Sequence, residues 1–152
     1  MSLTLLVAVA AVQTTVPVDP TSAEARAVLA PVEATFAALA ARDGTRLAPH
    51  FDAEARMTVV VERPDGGRVL RRLTAGEFAD GLRPGPERFE EVMPDPIVAR
   101  DGDVAMVWGR YLFRVDGRVS HCGANQFDLI RKDGVWTIAA ITWNQRTTGC
   151  EG

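Results

Sequence analysis

Residues 127–142, with the sequence FDLIRKDGVWTIAAIT, contain the pattern that decides the fold of this chain. Asp133 and Gly134 are typical of a two-residue β-turn, and runs of apolar residues flank them on both sides. The stretch therefore predicts a β-hairpin in which Lys132 pairs with Val135.

The same pattern continues towards the N-terminus of this hairpin. Asp116 and Gly117 form a second turn of this type, which pairs Val115 with Arg118. From residue 97 onwards the chain is predicted to contain only strands and turns. The predicted strands are Ile97–Arg100, Val104–Val115, Val119–Ile130 and Val135–Arg146, with a separate hairpin over 57–74 and a short strand over 89–93.

Two helices precede or interrupt the strands. Thr21 and Glu24 match a capping box, and the apolar residues that follow recur at helical spacing up to Gly44, the expected C-cap. Pro31 is expected to kink or split this helix. A second capping box, Thr74 with Glu77, starts a short helix over 74–82. The order of helix, hairpin, helix and meander predicts an α+β domain whose sheet buries one face against the helices.

The composition limits the function classes. The chain has 152 residues, of which 47% are hydrophobic and 24% charged, and this suits one globular domain. A net charge of -3 gives no basic stripe for nucleic acid. With His50 and His121 as the only histidines and no glycine-rich phosphate loop, we expect no metal and no cofactor.

Residues 1–20 are predicted to be a signal peptide or a disordered leader, and residues 21–152 to be the domain. The apolar run from Leu3 to Val12 has the length of a signal-peptide core and is too short for a stable membrane span. A periplasmic or secreted location follows from this interpretation. The alternative is a cytoplasmic protein in which this run is a buried strand or helix.

Alternation of side chains along the predicted strands sorts residues between two sheet faces. One face is apolar at one end, with Phe127, Leu129 and Ile138, and polar at the other. A polar end beside an apolar floor suits a small-molecule pocket. The predicted lining residues are Trp108, Arg110, His121, Asn125, Thr142 and Asn144.

The opposite predicted face is too apolar for contact with water. It includes Tyr111, Phe113, Ile141 and Trp143. This composition indicates either a homodimer interface or a surface covered by the N-terminal segment.

His121 and Cys122 are neighbours in one strand, so their side chains point to opposite faces. They therefore do not form a nucleophile and base acting on one substrate. Cys122 falls near Gln145 in the predicted register, and a turn at 147–149 would bring Cys150 back to it. We expect a Cys122–Cys150 disulfide rather than a reactive thiol.

The sequence resembles the nuclear transport factor 2-like superfamily. The segment 32–44, VEATFAALAARDG, resembles the end of the first helix of that family, and Gly134, Trp136 and Ile138 match its last hairpin. The segments 106–123 and 142–150 are similar to bacterial SnoaL-like and lumazine-binding-like proteins. The resemblance covers about residues 23–150 and implies a cone-shaped fold, with a curved antiparallel sheet wrapped on N-terminal helices.

This family contains isomerases, cyclases, dehydratases and binding domains, so the resemblance does not choose an activity. Ketosteroid isomerases of this fold use an aspartate base and an oxyanion hole of tyrosine and protonated aspartate. The corresponding positions here are Thr35 or Phe36, Val59 or Val60, and Gln126. None matches, which argues against a steroid-isomerase mechanism.

Two main functions remain open from the sequence, with a protein-interaction domain whose pocket is filled by its own side chains as a third possibility. The first is an exported small-molecule-binding domain of unknown ligand. The second is a cyclase, isomerase or dehydratase that uses His121 or Asp52 as its acid-base group, with Arg110 stabilising an oxyanion. Glu90 and Glu91 are further carboxyl candidates, although an edge strand of alternating charge also explains them.

Overall fold

The computed structural model describes residues 17–19 and 21–150. Apart from 17–19, the predicted leader therefore lies outside the described residues. The elements in chain order are α1 (Ala23–Ala41), β1 (Phe51–Glu62), β2 (Arg68–Thr74), α2 (Ala75–Gly81), β3 (Phe89–Val92), β4 (Ile97–Asp101), β5 (Val104–Val115), β6 (Arg118–Lys132) and β7 (Val135–Gln145).

The seven strands form one curved, unclosed sheet in the order β2-β1-β7-β6-β5-β3, and β4 pairs with the remaining part of β5. The predicted hairpins are confirmed, including the pairs Val115–Arg118 and Lys132–Val135. One strand pair differs from the expected antiparallel sheet, because β1 lies parallel to β7. The result is the expected α+β fold, with a mixed sheet packed against α1.

The ends of α1 differ by one or two residues from the prediction. Ser22 is the N-cap, and its hydroxyl accepts a hydrogen bond from the backbone N–H of Ala25 at 3.0 Å. At the other end Arg42, not Gly44, adopts the left-handed conformation with a φ of 52°. The second capping box, Thr74 with Glu77, is confirmed at the start of α2.

Pro31 lies inside α1 without splitting it. A proline inside a helix removes one backbone donor and costs about 3 kcal/mol. Val28, Pro31 and Val32 are all buried, so the apolar face of the helix offsets this cost by packing on the sheet. Of the two outcomes expected at Pro31, a kink or a split, the split does not occur.

We call the side of the sheet that faces α1 the inner face and the opposite side the outer face. Val28 and Val32 of α1 pack in the core with inner-face residues that are at most 1% exposed. These inner-face residues are Met57, Val107, Phe127, Leu129 and Ile138.

Two β-bulges decide which residues occupy each face. In β6, Phe113 pairs with His121 but Arg114 pairs with Val119, so Ser120 is an extra residue. Since side chains alternate along a strand, one extra residue reverses the face of every residue beyond it relative to the partner strand. The Ser120 bulge therefore places Tyr111 and Phe113 on the inner face, and Trp108 and Arg110 on the outer face.

The second bulge lies in β7. Leu129 pairs with Ile138 but Asp128 pairs with Ala140, which leaves Ala139 as the extra residue. Beyond it, Ile141 and Trp143 point inwards, while Thr142 and Asn144 lie on the outer face.

These two reversals correct the predicted faces. The predicted register is right at both turns, but it assumed that alternation continued without interruption. Four predicted pocket residues lie on the outer face: Trp108, Arg110, Thr142 and Asn144. Four residues assigned to an outer dimer interface lie on the inner face: Tyr111, Phe113, Ile141 and Trp143.

The predicted disulfide is confirmed. Cys122 and Cys150 are bonded, with their Cα atoms 5.5 Å apart. Cys122 faces outwards from β6, and two backbone hydrogen bonds of 2.9 Å join it to Arg146. The disulfide therefore holds the segment after β7 against the outer face of β6.

Candidate functional site

A cavity of about 210 Å³ lies between the inner face of the sheet, the C-terminal half of α1 and the end of α2. Its lining residues come from six elements or their ends. They are Thr35, Phe36, Leu39, Phe78, Leu82, Phe89, Glu91, Tyr111, Phe113, His121, Asn125, Phe127, Ile141, Trp143 and Gln145.

Aromatic side chains form much of the cavity wall. Phe36 contacts Phe127 edge to face, with ring centroids 6.0 Å apart, and Phe78 contacts Trp143 in the same way at 6.3 Å. Edge-to-face contacts stabilise aromatic pairs beyond simple burial. The α1 and α2 sides of the cavity are thus tied to the sheet by ring contacts.

Glu91 is the one carboxylic acid among the residues that line the cavity. It lies on β3 and pairs with Phe113, which brings it to the inner face. Its Oε1 accepts a hydrogen bond of 2.7 Å from Nδ2 of Asn125, which is itself only 4% exposed. No described residue donates a hydrogen bond to Oε2.

Burial raises the pKa of Glu91 to about 7, although the hydrogen bond from Asn125 acts in the opposite direction. Desolvation favours the uncharged form of an acid, and one amide donor does not replace the lost water. A carboxyl group with a pKa near neutrality exists in both protonation states at physiological pH, so it can accept or donate a proton.

Sequence reasoning weighed Glu91 but did not place it in the site. The usable signal was the alternation in residues 88–93, RFEEVM, which puts Glu91 on the same side as Phe89 and Met93. Glu90 points the other way and forms an ion pair with Arg114 at 3.3 Å. The two adjacent glutamates therefore have different environments.

Two further polar side chains, Tyr111 and His121, line the cavity with Glu91. The hydroxyl of Tyr111 donates to the backbone oxygen of Asn144 at 3.0 Å. Burial, reinforced by the Glu91 carboxylate and opposed by Arg146, raises the pKa of Tyr111. This hydroxyl therefore stays protonated near neutral pH.

His121 stacks on Phe113, with the ring centroids 4.7 Å apart, and contacts Tyr111 edge to face at 5.9 Å. Burial lowers the pKa of His121, so the imidazole is mainly neutral at neutral pH. His121 and Asn125 are the two predicted pocket residues that the structure brings to the cavity.

Arg42 connects the end of α1 to the loop before β3 through three contacts. The Arg42 guanidinium lies over the Phe89 ring, 4.3 Å from its centroid, and its Nε donates to the backbone oxygen of Arg83 at 2.9 Å. It also forms an ion pair with Glu87. Arg42 thus fixes the loop between α2 and β3, which carries one wall of the cavity.

The remaining predicted pocket residues serve the outer face. Trp108 and Arg110 line a separate outer groove of about 450 Å³ beside the disulfide. The side chain of Asn144 accepts from the backbone N–H of Ala124 at 2.8 Å and donates to Glu62 at 3.2 Å. Thr142 is exposed to solvent.

Asp52, the other acid-base candidate from the sequence, does not line the cavity. Its carboxylate accepts a hydrogen bond from the backbone N–H of Glu54 at 2.9 Å, a local role at the start of β1.

Among the described residues no three His, Cys, Asp or Glu side chains are grouped for a metal ion. Within 17–19 and 21–150, no helix is long and apolar enough to cross a membrane.

Comparison by sequence finds no matching protein-family profile and no matching curated protein. Comparison by structure finds the expected fold. A nuclear transport factor 2-like protein of unknown function from Shewanella baltica superimposes with a TM-score of 0.58 and 17% identity, covering 80% of this chain and 93% of that one. The protein therefore has a nuclear transport factor 2-like fold.

Two other similar structures are named after enzymes. One, named as the β subunit of a putative aromatic-ring-hydroxylating dioxygenase from Novosphingobium aromaticivorans, has a TM-score of 0.64 and 15% identity, covering 82% of this chain and 90% of the subunit. A type 2 hexachlorocyclohexane dehydrochlorinase has a TM-score of 0.62 and 15% identity, covering 81% of this chain and 85% of that one. At these identities the likeness concerns the fold alone.

Proposed function

We propose that this protein is a small-molecule-binding domain whose ligand occupies the cavity between α1 and the inner face. The observation that carries the proposal is the cavity itself, with its aromatic wall and a few convergent polar groups around Glu91. Such a combination is what small-molecule sites require, since apolar walls supply affinity and a few polar groups fix orientation. An engineered apolar cavity of about 150 Å³ binds benzene, so a ligand with one ring fits a cavity of about 210 Å³.

Titration with 2-phenylethanol, a neutral probe of this size, tests the proposal by two-dimensional NMR. We expect saturable shifts at the indole N–H of Trp143 and the side-chain amide of Asn125, both of which line the cavity. Leu39→Trp, which fills the cavity from α1, should abolish these shifts. Arg110→Ala, on the outer face, should leave them unchanged.

The opposite pattern would contradict the proposal. Shifts that are absent, or that centre on the indole of Trp108 in the outer groove, would show that the cavity is not the binding site. The spectrum of Leu39→Trp without probe shows whether that variant is folded.

A second candidate function is acid-base catalysis on a bound ligand, as in the cyclase, isomerase or dehydratase class. The observation that favours it is the Glu91 carboxyl, which replaces Asp52 as the acid-base candidate. Among the similar structures, the dehydrochlorinase is named for activity on a small apolar compound. Deuterium exchange at the α-carbon of 2-indanone, followed by NMR, tests for proton transfer.

Glu91→Gln should return that exchange to the buffer rate, and Asp52→Asn should not. Exchange at the buffer rate with the unmodified protein would leave binding as the function.

We further propose export to the periplasm or secretion. The Cys122–Cys150 disulfide supports an oxidising compartment, since such bonds rarely persist in a reducing cytoplasm. The intact mass of protein expressed from the full sequence in a bacterial host, measured in the periplasmic fraction, tests both processing and location. Unprocessed, reduced protein confined to the cytoplasm would oppose export.

A homodimer through the outer face is also part of the proposal, on different residues from those predicted. Ile97 and Trp108 pair across β4 and β5 and are 47% and 40% exposed, and Val104 nearby is 62% exposed. Three exposed apolar side chains on one sheet face favour association with a second copy. Light scattering should give a dimer mass that Trp108→Glu converts to a monomer mass.

A further inference from the structure

The charges around the cavity are unbalanced. Glu91 is its one acidic residue, and the fifteen described residues that line it include no lysine or arginine. Of the neighbouring arginines, Arg114 pairs with Glu90, and Arg42 pairs with Glu87 and covers the face of Phe89. Arg146 lies near enough to Tyr111 to lower its pKa, but it does not line the cavity. An anionic ligand would therefore meet the like charge of Glu91 without a lysine or arginine in the cavity wall.

The aromatic residues change which ligands the cavity favours. Seven of the fifteen lining residues are phenylalanine, tyrosine or tryptophan. The face of an aromatic ring carries partial negative charge, so rings attract a cation as well as an apolar group. Arg42 already uses one such ring, with its guanidinium 4.3 Å from the centroid of Phe89.

The free oxygen of Glu91 completes the arrangement. Asn125 donates a hydrogen bond to Oε1, and no described residue donates one to Oε2. Asn125 lies on β6 and is only 4% exposed. Its hydrogen bond therefore fixes the orientation of the Glu91 carboxyl from within the folded core. An ammonium group is the donor best matched to an unpartnered carboxylate oxygen, because a charged hydrogen bond is stronger than a neutral one.

We propose that the cavity selects a small apolar amine in its protonated form, with the ammonium group on Oε2 of Glu91 and the hydrocarbon part among the aromatic rings. This proposal rests on the proposed function as a binding domain and adds the chemical class of the ligand. The other cavity groups suit such a ligand. Burial lowers the pKa of His121, so its imidazole is mainly neutral at neutral pH and repels a cation little. The side chain of Gln145 offers a further acceptor at the wall.

Three probes with a phenyl ring and a short chain separate the charge from the shape. Phenethylamine is a cation near neutral pH, 2-phenylethanol is neutral and phenylacetate is an anion. Binding is measured by NMR titration at about pH 8, where Glu91 is mainly ionised and the amine remains protonated. We expect phenethylamine to bind roughly tenfold more tightly than 2-phenylethanol, and phenylacetate to bind most weakly.

Two variants assign the preference to one carboxyl. Glu91→Gln keeps the shape of the side chain and removes its charge. In this variant phenethylamine and 2-phenylethanol should bind with about equal affinity. Glu90→Gln removes a charge from the adjacent residue, which pairs with Arg114 outside the cavity, and should keep the preference.

The outcomes separate this inference from the proposed function. If 2-phenylethanol occupies the cavity but phenethylamine binds no better, or if Glu91→Gln keeps the amine preference, the amine proposal is wrong and the binding domain stands. If no probe shifts the cavity resonances, the proposed function fails and the amine proposal fails with it.

Discussion

Replacing Glu91 by glutamine should change how stability depends on pH. Below about pH 4.5 this carboxyl is protonated in both the folded and the unfolded chain, and its burial carries no ionisation cost. As the pH rises from there to about 7, the unfolded chain loses a proton that the folded protein keeps. The unfolded state then binds fewer protons, so the free energy of unfolding falls as the pH rises.

The size of the effect follows from the two pKa values. A change from the ordinary value of 4.5 to about 7, at about 1.4 kcal/mol for each pKa unit, corresponds to about 3 kcal/mol. This cost is fully present above about pH 7 and absent below about pH 4.5. Glutamine has no charge at any pH and can still accept the hydrogen bond from Asn125. Glu91→Gln should therefore be more stable than the unmodified protein by up to about 3 kcal/mol at pH 8 and nearly equal to it at pH 4.5.

Urea unfolding followed by tryptophan fluorescence, at intervals between about pH 4.5 and pH 8.5, measures the difference. His121 adds a pH dependence of its own, but it is present in both proteins and cancels in the comparison. Glu90→Gln is the matched control and should follow the unmodified protein at every pH. Parallel curves for Glu91→Gln and the unmodified protein would refute the reasoning, because they would show that burial does not disfavour the Glu91 carboxylate.

Three other changes have expected outcomes. Cys150→Ser opens a loop with a sequence separation of 28 residues and should lower the free energy of unfolding by about 3–4 kcal/mol in urea, whereas the variant and the unmodified protein should be equally stable under reducing conditions. Gly123→Ala would place a Cβ 1.9 Å from the backbone oxygen of Asn144 and should destabilise the protein by about 2 kcal/mol. The control is Gly81→Ala, where a Cβ meets nothing within 4 Å, and it should not destabilise the protein. Thermal unfolding of both variants measures the difference. Asn125→Ala removes the hydrogen bond that opposes the effect of burial, so the pKa of Glu91 should rise further. A carbon-detected NMR titration measures this pKa. An unchanged value would show that Asn125 does not donate to the carboxyl in solution.

Local patterns in the sequence were enough for the helices, the strands and the α+β class, whereas the parallel pairing of β1 with β7 was not predicted. The Asp-Gly turns at 116–117 and 133–134 predicted both hairpins with the observed pairs, and the second capping box predicted the start of α2. The opposite orientation of His121 and Cys122 and the disulfide to Cys150 were also predicted correctly. The turns, the cap and the opposite orientation of the two side chains depend on neighbours in the chain, and the disulfide follows from the hairpin register and a turn after the last strand.

Only the tertiary structure decided which residues form the cavity. The bulges at Ser120 and Ala139 each insert one residue into a ladder, and a single insertion exchanges the two faces of a strand relative to its partner. Nothing in the two strands taken singly shows these insertions, because they depend on how neighbouring strands pair as the sheet curves. Glu91 likewise became a site residue only when β3 paired with β5 and Asn125 of β6 reached its carboxyl. The identity of the elements is local physical chemistry, whereas the composition of the site depends on register, and register is a property of the assembled sheet.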